Sequence, residues 1–204
     1  GLYIEKNIIK YAKVAKDDGI VKVESFGIKF FDDVEKTINQ IISETSSYKV
    51  PIIMNSSNEF YNYFSVINLL NAKDLKKVVQ TEFENYCNEN NQNLNVLETR
   101  FVVADDLLNR DKLKIIHISD AKTEITAKQN LLQENKLAGI VPIPIAIAKL
   151  IGENNNENCL IVNLEEKTTV TKIVNQKVYH IEKIEPNINE VLEKIEEKEN
   201  SNSK

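Results

Sequence analysis

Four groups of side chains in this 204-residue chain are of types that could do chemistry. They are two histidines, His117 and His180; two cysteines, Cys87 and Cys159; the adjacent hydroxyls of Thr168 and Thr169; and the rings of Phe60, Tyr61, Tyr63 and Phe64. Imidazole carries protons near neutral pH and ligates metals, but each histidine sits in an alternating strand pattern with no metal-ligand spacing around it. A structural or surface role follows, and no metal site is expected. The cysteines lie far apart and fit neither a disulfide framework nor a zinc spacing, which points to a reducing, cytoplasmic compartment. Cys159 opens an apolar run and is expected to be buried and inert. Thr168 and Thr169 could contact phosphate or magnesium, yet threonine at a strand start is more simply a good β former. The aromatic run alternates, so some rings should face the core and others outward. Outward rings could line a partner groove or glue one subdomain to the next; the alternation permits both.

These side chains must be positioned by the elements around them. Leu2–Glu5, Ile8–Ala15 and Ile20–Phe31 read as three antiparallel strands, with Asn7 in one turn and Asp17-Asp18-Gly19 in the other. Val34, Ile38, Ile41 and Ile42 recur at helical spacing behind a capping Asp32 or Asp33, giving a helix over 33–45. Lys49–Met54 and Glu59–Asn68 read as strands. Ala72–Asn88 is a helix with Leu75, Val78, Val79, Phe83 and Tyr86 on one stripe. Two strands follow, Val96–Ala104 and Lys112–Ser119. A second helix is predicted over Ala121–Lys136 with Ile125, Leu131, Leu132 and the following Leu137 inward, and Gly139 beside its C-terminus, where a positive φ is wanted. Ile140–Pro142 makes a short strand and Ile143–Ile151 a helix with Pro144 in its first turn. Asn158–Glu182 is a second three-strand meander, and Pro186–Glu199 a closing amphipathic helix.

Composition limits the function classes. Hydrophobic residues make up 42% of the chain, enough for a packed core. Net charge is −5, and Arg100 and Arg110 are the only guanidinium groups, so there is no basic stripe for a nucleic-acid backbone. No apolar run reaches the ~18–20 residues a membrane span needs. The chain starts on a strand and ends in a charged helix, and is expected to be a piece of a longer protein.

The order of elements is three strands, helix, strand, a βαββ run, helix, strand–helix, and a second three-strand meander. The echo between the meanders is the pseudo-repeat of an actin-like (ribonuclease H-like) α/β fold, with the βαββ run as a small inserted α+β subdomain. Boundaries are expected at 1–66, 67–120 and 121–204. The block Phe101–Ala104, Leu113–Ser119, a helix through Gln129–Leu137 and then Gly139–Ala148 resembles the type IV pilus assembly protein PilM family, related to FtsA and the cytoplasmic domain of GspL. The resemblance covers nearly the whole chain and lies in element order. It implies a scaffold at the cytoplasmic face of the cell membrane, associated with the membrane through partners or a fused segment and linked to the pilus assembly motor. The implied partner is the N-terminal cytoplasmic peptide of a PilN-like membrane protein, extended in a groove between body and insert near Phe60, Tyr61, Tyr63 and Phe64. Asn68-Leu69-Leu70 resembles the short PilN motif that binds PilM, though a strand leaving into a turn explains it as well.

The same resemblance implies two phosphate loops, each with an Asp and a Gly. Aligned on the following strands, Tyr3 and Asn163 stand at the Asp positions, and Glu5 and Glu165 at the Gly positions. Without glycine the backbone cannot approach phosphate, and the carboxylates of Glu5, Glu165 and Glu166 repel it; Lys6 and Lys167 offset only part of that. The loops Tyr3, Glu5, Lys6, Asn7 and Asn163, Glu165, Glu166, Lys167, Thr168, Thr169 are therefore read as degenerate, with no cofactor and no hydrolysis. The alternatives are an ATPase using ATP and Mg²⁺ completed by a missing second lobe, and a GspL-like secretion scaffold.

Overall fold

The first thirty residues of the computed structural model form a meander: β1 (Leu2–Glu5), β2 (Ile8–Asp17) and β3 (Ile20–Phe30), paired antiparallel with Ile4 opposite Ile9 and Lys10 opposite Ile28. The structure describes residues 1–18, 20–56, 58–132, 136–154, 157–165, 167–185 and 187–202. Asp18, at φ 48°, supplies a left-handed residue of the β2–β3 turn, and Gly19 lies outside the described residues. Helix α1 (Val34–Thr45) begins where the Asp33 carboxylate accepts the Lys36 N–H at 3.0 Å, and ends on Ser46 at φ 50°. It returns the chain to β4 (Val50–Met54), parallel to β1 with Leu2 opposite Ile52. Strand β8 (Leu137–Pro142) joins β4 in parallel, completing a five-stranded sheet ordered β3-β2-β1-β4-β8. Ile38, Ile41 and Ile42 of α1 pack on Leu2, Ile9, Val50 and Ile52, with Leu132 in the same cluster. Burying each such aliphatic side chain contributes ~1.5–3 kcal/mol.

Residues Gly1–Ser56 and Ala121–Ile143 make one compact unit; Ser57–Asp120 and Pro144–Lys204 make a second. The second unit begins with β5 (Phe60–Ile67), followed by α2 (Ala72–Glu89), a 3₁₀ turn over Leu94–Val96, β6 (Leu97–Asp105) and β7 (Lys112–Ala121). Their three-stranded sheet runs β5-β7-β6, with Phe60 opposite Ser119 and Ile67 opposite Lys112. Helix α2 covers one face, packing Val79 against Val66 and Ile115 with Phe64, Leu75 and Phe101 around them. The chain re-enters this unit along α4 (Ile143–Asn154). The second meander is β9 (Cys159–Asn163), β10 (Thr168–Val174) and β11 (Lys177–Ile184), antiparallel in the order β11-β10-β9, and α5 (Ile188–Asn202) follows. Pro186, read as the start of that helix, lies outside the described residues.

The structure departs from the sequence reading at four places. Strand β5 pairs with β7 along its whole length, so Phe60–Val66 belong with the βαββ sheet rather than with residues 1–66. The second helix is short: β7 runs on to Ala121 and α3 occupies only Lys122–Asn130, with none of its residues buried. Leu131 and Leu132 follow it and reach the core from a turn, and residues 133–135 lie outside the described residues. Gly139 is no helix cap; it lies within β8 at φ 156°, where the register shifts between Val50–Leu137 and Pro51–Gly139. An extra residue in one strand twists the backbone there, and glycine tolerates that conformation. Lastly, Cys159 is half-buried on β9, an outer strand of its sheet, whereas Cys87 on α2 is fully buried.

Candidate functional site

The two loops read as degenerate phosphate sites lie in different units, and each is held by local contacts. In the first, the Tyr3 hydroxyl donates to Glu5 Oε1 at 3.2 Å, and Glu5 Oε2 pairs with Lys10 Nζ at 2.8 Å. Lys10 also lies 5.2 Å from the Tyr3 ring centroid. Lys6 and Asn7 form the exposed turn, whose Asn7 carbonyl accepts the Phe31 N–H at 2.9 Å. In the second, Asn163 stands opposite Thr169, and the Glu165 carbonyl accepts the Ile188 N–H at 2.9 Å, tying the turn to the start of α5. Thr168 and Thr169 are buried at the head of β10 and Lys167 is half-buried; Glu166 lies outside the described residues. Neither sequence segment holds a glycine that would bring backbone N–H groups close to an anion.

The aromatic strand is different. Period-two alternation sends Phe60 and Phe64 towards α2, where Phe60 lies 6.4 Å from Phe83 and 6.3 Å from Tyr86. His117 of β7 stacks on Phe83 at 3.8 Å, with its Nδ1 3.3 Å from Ser119 Oγ. Burial depresses that imidazole to about 4, so it is neutral at physiological pH.

Tyr61 and Tyr63 point the other way and meet β11. The Tyr63 hydroxyl accepts the Ile181 N–H at 3.0 Å and donates to the Ile181 carbonyl, occupying both backbone groups on the outer edge of β11. Its ring lies 4.6 Å from His180, and Lys114 Nζ sits 5.2 Å from Tyr63 and 3.9 Å from Tyr179. Tyr61 donates its hydroxyl to Glu59 Oε1, while Lys183 Nζ donates to the Glu59 carbonyl and lies 6.0 Å from the Tyr61 ring. Around them is a depression of ≈ 330 Å³ lined by Glu59, Tyr61, Tyr63, His180, Ile181 and Lys183 among others.

Burial dominates the electrostatics of this depression. Desolvation pushes the Glu59 carboxyl up to about 7, against the pull of the Tyr61 hydrogen bond and the Lys183 charge. It raises the Tyr63 phenol to about 12 and lowers the Lys183 ammonium. Glu59 is 5% exposed, and among the described residues its Oε2 has no hydrogen-bond partner. Sequence reasoning named Phe60, Tyr61, Tyr63 and Phe64 as one cluster; the fold divides them between two faces and adds Glu59, His180, Ile181 and Lys183 beside the tyrosines. Nothing local could have paired Tyr63 with a residue 118 positions away. Among the described residues, no group of three or more His, Cys, Asp or Glu side chains could hold a metal, and no helix is long and apolar enough to cross a membrane.

No protein-family model and no curated protein sequence matches the chain. Among solved structures it is similar to a chain of the PilM-PilN type IV pilus biogenesis complex, with a TM-score of 0.69 and 12% sequence identity, over 93% of this chain and 62% of that one. It also matches a Bacteroides thetaiotaomicron protein with an actin-like ATPase fold and unknown function, at a TM-score of 0.44 and 9% identity, over 93% of this chain and 70% of that one. The chain thus spans less than two thirds of the PilM-PilN chain it resembles, and its fold is actin-like α/β, with the βαββ run in one compact unit with the second meander.

Proposed function

We propose that this chain is a scaffold of type IV pilus assembly that binds the cytoplasmic N-terminal peptide of a PilN-like membrane protein and does not turn over nucleotide. The observation that carries the reading is the match over 93% of its length to a structure solved as a PilM-PilN complex. The depression between β5 and β11 supports it locally. Extended peptides bind by pairing with strand edges and seating alternate side chains in pockets. The edge of β11 at Ile181 offers such a pair of backbone groups, which the Tyr63 hydroxyl occupies. Apolar and aromatic walls stand beside it. The place of action that goes with this reading is the inner face of the cell membrane, between the membrane proteins and the assembly motor.

Titrating the isotope-labelled chain with a PilN-type N-terminal peptide tests the proposal. Saturable shifts at Phe60–Phe64 and Tyr179–Lys183 are expected, and none at these positions would reject it. The loss of nucleotide binding is tested separately by calorimetry with ATP and Mg²⁺. The glycine-free turns at Tyr3–Asn7 and Asn163–Thr169 predict no heat of binding, whereas a micromolar Kd would favour an ATPase completed by a second lobe.

A further inference from the structure

We infer that the depression at the head of β5 is a cation pocket that accepts an arginine side chain of the bound peptide, with the Glu59 carboxylate as its acceptor and the Tyr61 and Tyr63 rings as its walls. This rests on the peptide-binding reading above for the source of the arginine, but the pocket's chemistry stands on its own geometry. Glu59 is almost fully buried, lines the depression, and keeps Oε2 without a hydrogen-bond partner among the described residues. A buried carboxylate oxygen lacking a partner is costly, and a charge-assisted, two-point hydrogen bond from a guanidinium relieves that cost. The planar group also stacks on tyrosine faces, which an ammonium does less well. Tyr61 makes the pocket exchangeable. Its hydroxyl holds Glu59 Oε1, so an entering guanidinium takes over a hydrogen bond that the tyrosine now supplies.

The neighbouring charges leave room for this. Facing Glu59 are the Tyr61 hydroxyl from its own strand, Asp120 from the end of β7 and Lys183 from β11. Lys183 directs its ammonium at the Glu59 backbone carbonyl. Glu182 lines the same depression. Because burial holds the Glu59 carboxyl near 7, cation binding pulls off a proton and strengthens as pH rises through that value.

The test uses the full chain and two small probes, N-acetyl-arginine methylamide and its uncharged counterpart N-acetyl-citrulline methylamide, followed by amide chemical shifts. The arginine probe is expected to give saturable shifts at Tyr61, Tyr63, Ile181 and Lys183, and the citrulline probe at least ~10-fold weaker binding. A carboxyl titrating near 7 is about nine-tenths neutral at pH 6 and nine-tenths ionised at pH 8, so the arginine probe should bind ~10-fold more weakly at pH 6. Glu59→Gln should abolish the preference for arginine, and Tyr61→Phe, which removes the competing hydroxyl, should tighten binding. Equal binding of the two probes, or arginine binding that Glu59→Gln leaves intact, overturns the pocket. Arginine-probe binding as described, with no response to a PilN-type peptide, upholds the pocket and overturns the pilus reading.

Discussion

At the scale of single residues, the clearest energetic statement concerns His117. Its imidazole is 2% exposed and stacked on Phe83, and burial holds it at about 4, below the ordinary 6.5. The folded chain therefore binds fewer protons than the unfolded chain between those values, and stability is lost as pH falls from about 6.5 to 4. The loss is at most about 3 kcal/mol, from ~1.4 kcal/mol per pKa unit. Urea unfolding from pH 7.5 to 4 should show this acid limb in the difference between the native chain and His117→Phe. Comparing the two chains cancels the opposite contribution of Glu59, whose raised carboxyl favours folding as pH falls below 7. The cysteines make a second contrast. Burial raises the Cys87 thiol and closes it off, while Cys159 is half-buried, so a thiol reagent should label Cys159 first in the folded chain. Labelling of Cys87 at an equal rate would show that α2 opens locally. How much of the site was legible follows the same local logic. The two-residue period separates Tyr61 and Tyr63 from Phe60 and Phe64, but Glu59 and the edge of β11 enter through tertiary pairing that no local pattern encodes.

At the scale of elements, the readable ones carry both a period and a cap. Helices α1 and α2 start where expected because Asp33 and Asn71 satisfy first-turn N–H groups; Asn71 Oδ1 accepts from Lys73 and Asp74 at 3.0 Å each. Asn71→Ala should cost ~1 kcal/mol in chemical denaturation, with Asn71→Ser recovering most of it. Helix α3 is shorter than the apolar spacing predicts because Leu131, Leu132 and Leu137 continue that spacing in a turn and a strand. The N-cap of α3, Ala121, makes no side-chain hydrogen bond, so no cap marked where strand gave way to helix. The positive φ at Gly139 is shared by helix caps and strand irregularities, and sequence alone does not separate them. A methyl group at Gly139 would meet open space, yet φ 156° is a conformation side chains rarely adopt. Gly139→Ala should therefore destabilise by ~1–2 kcal/mol through the backbone and not through crowding. A neutral effect in thermal melts would mean that the β4–β8 register relaxes without penalty.

At the scale of the whole molecule, an apolar stripe along the outer strand of the first unit is open to solvent. Strand β3 is the outer strand of the five, and Phe26, Ile28 and Phe30 on it are 79%, 60% and 76% exposed. Ala12, Lys10 and Ile8 stand opposite them on β2, and the exposed Val14 and Val23 pair further along. A long outer strand with exposed apolar side chains favours association between molecules, and a contiguous patch of this kind limits solubility. Two charges there should relieve it at little cost, because the rings bury little surface on folding. Phe26→Lys with Phe30→Lys should leave the unfolding free energy within about 1 kcal/mol of the native chain. The same pair should raise the ammonium sulfate concentration at which the chain precipitates and reduce concentration-dependent sedimentation. A drop of several kcal/mol would show instead that these rings pack in solution, and unchanged precipitation would move the cause of any self-association to another surface.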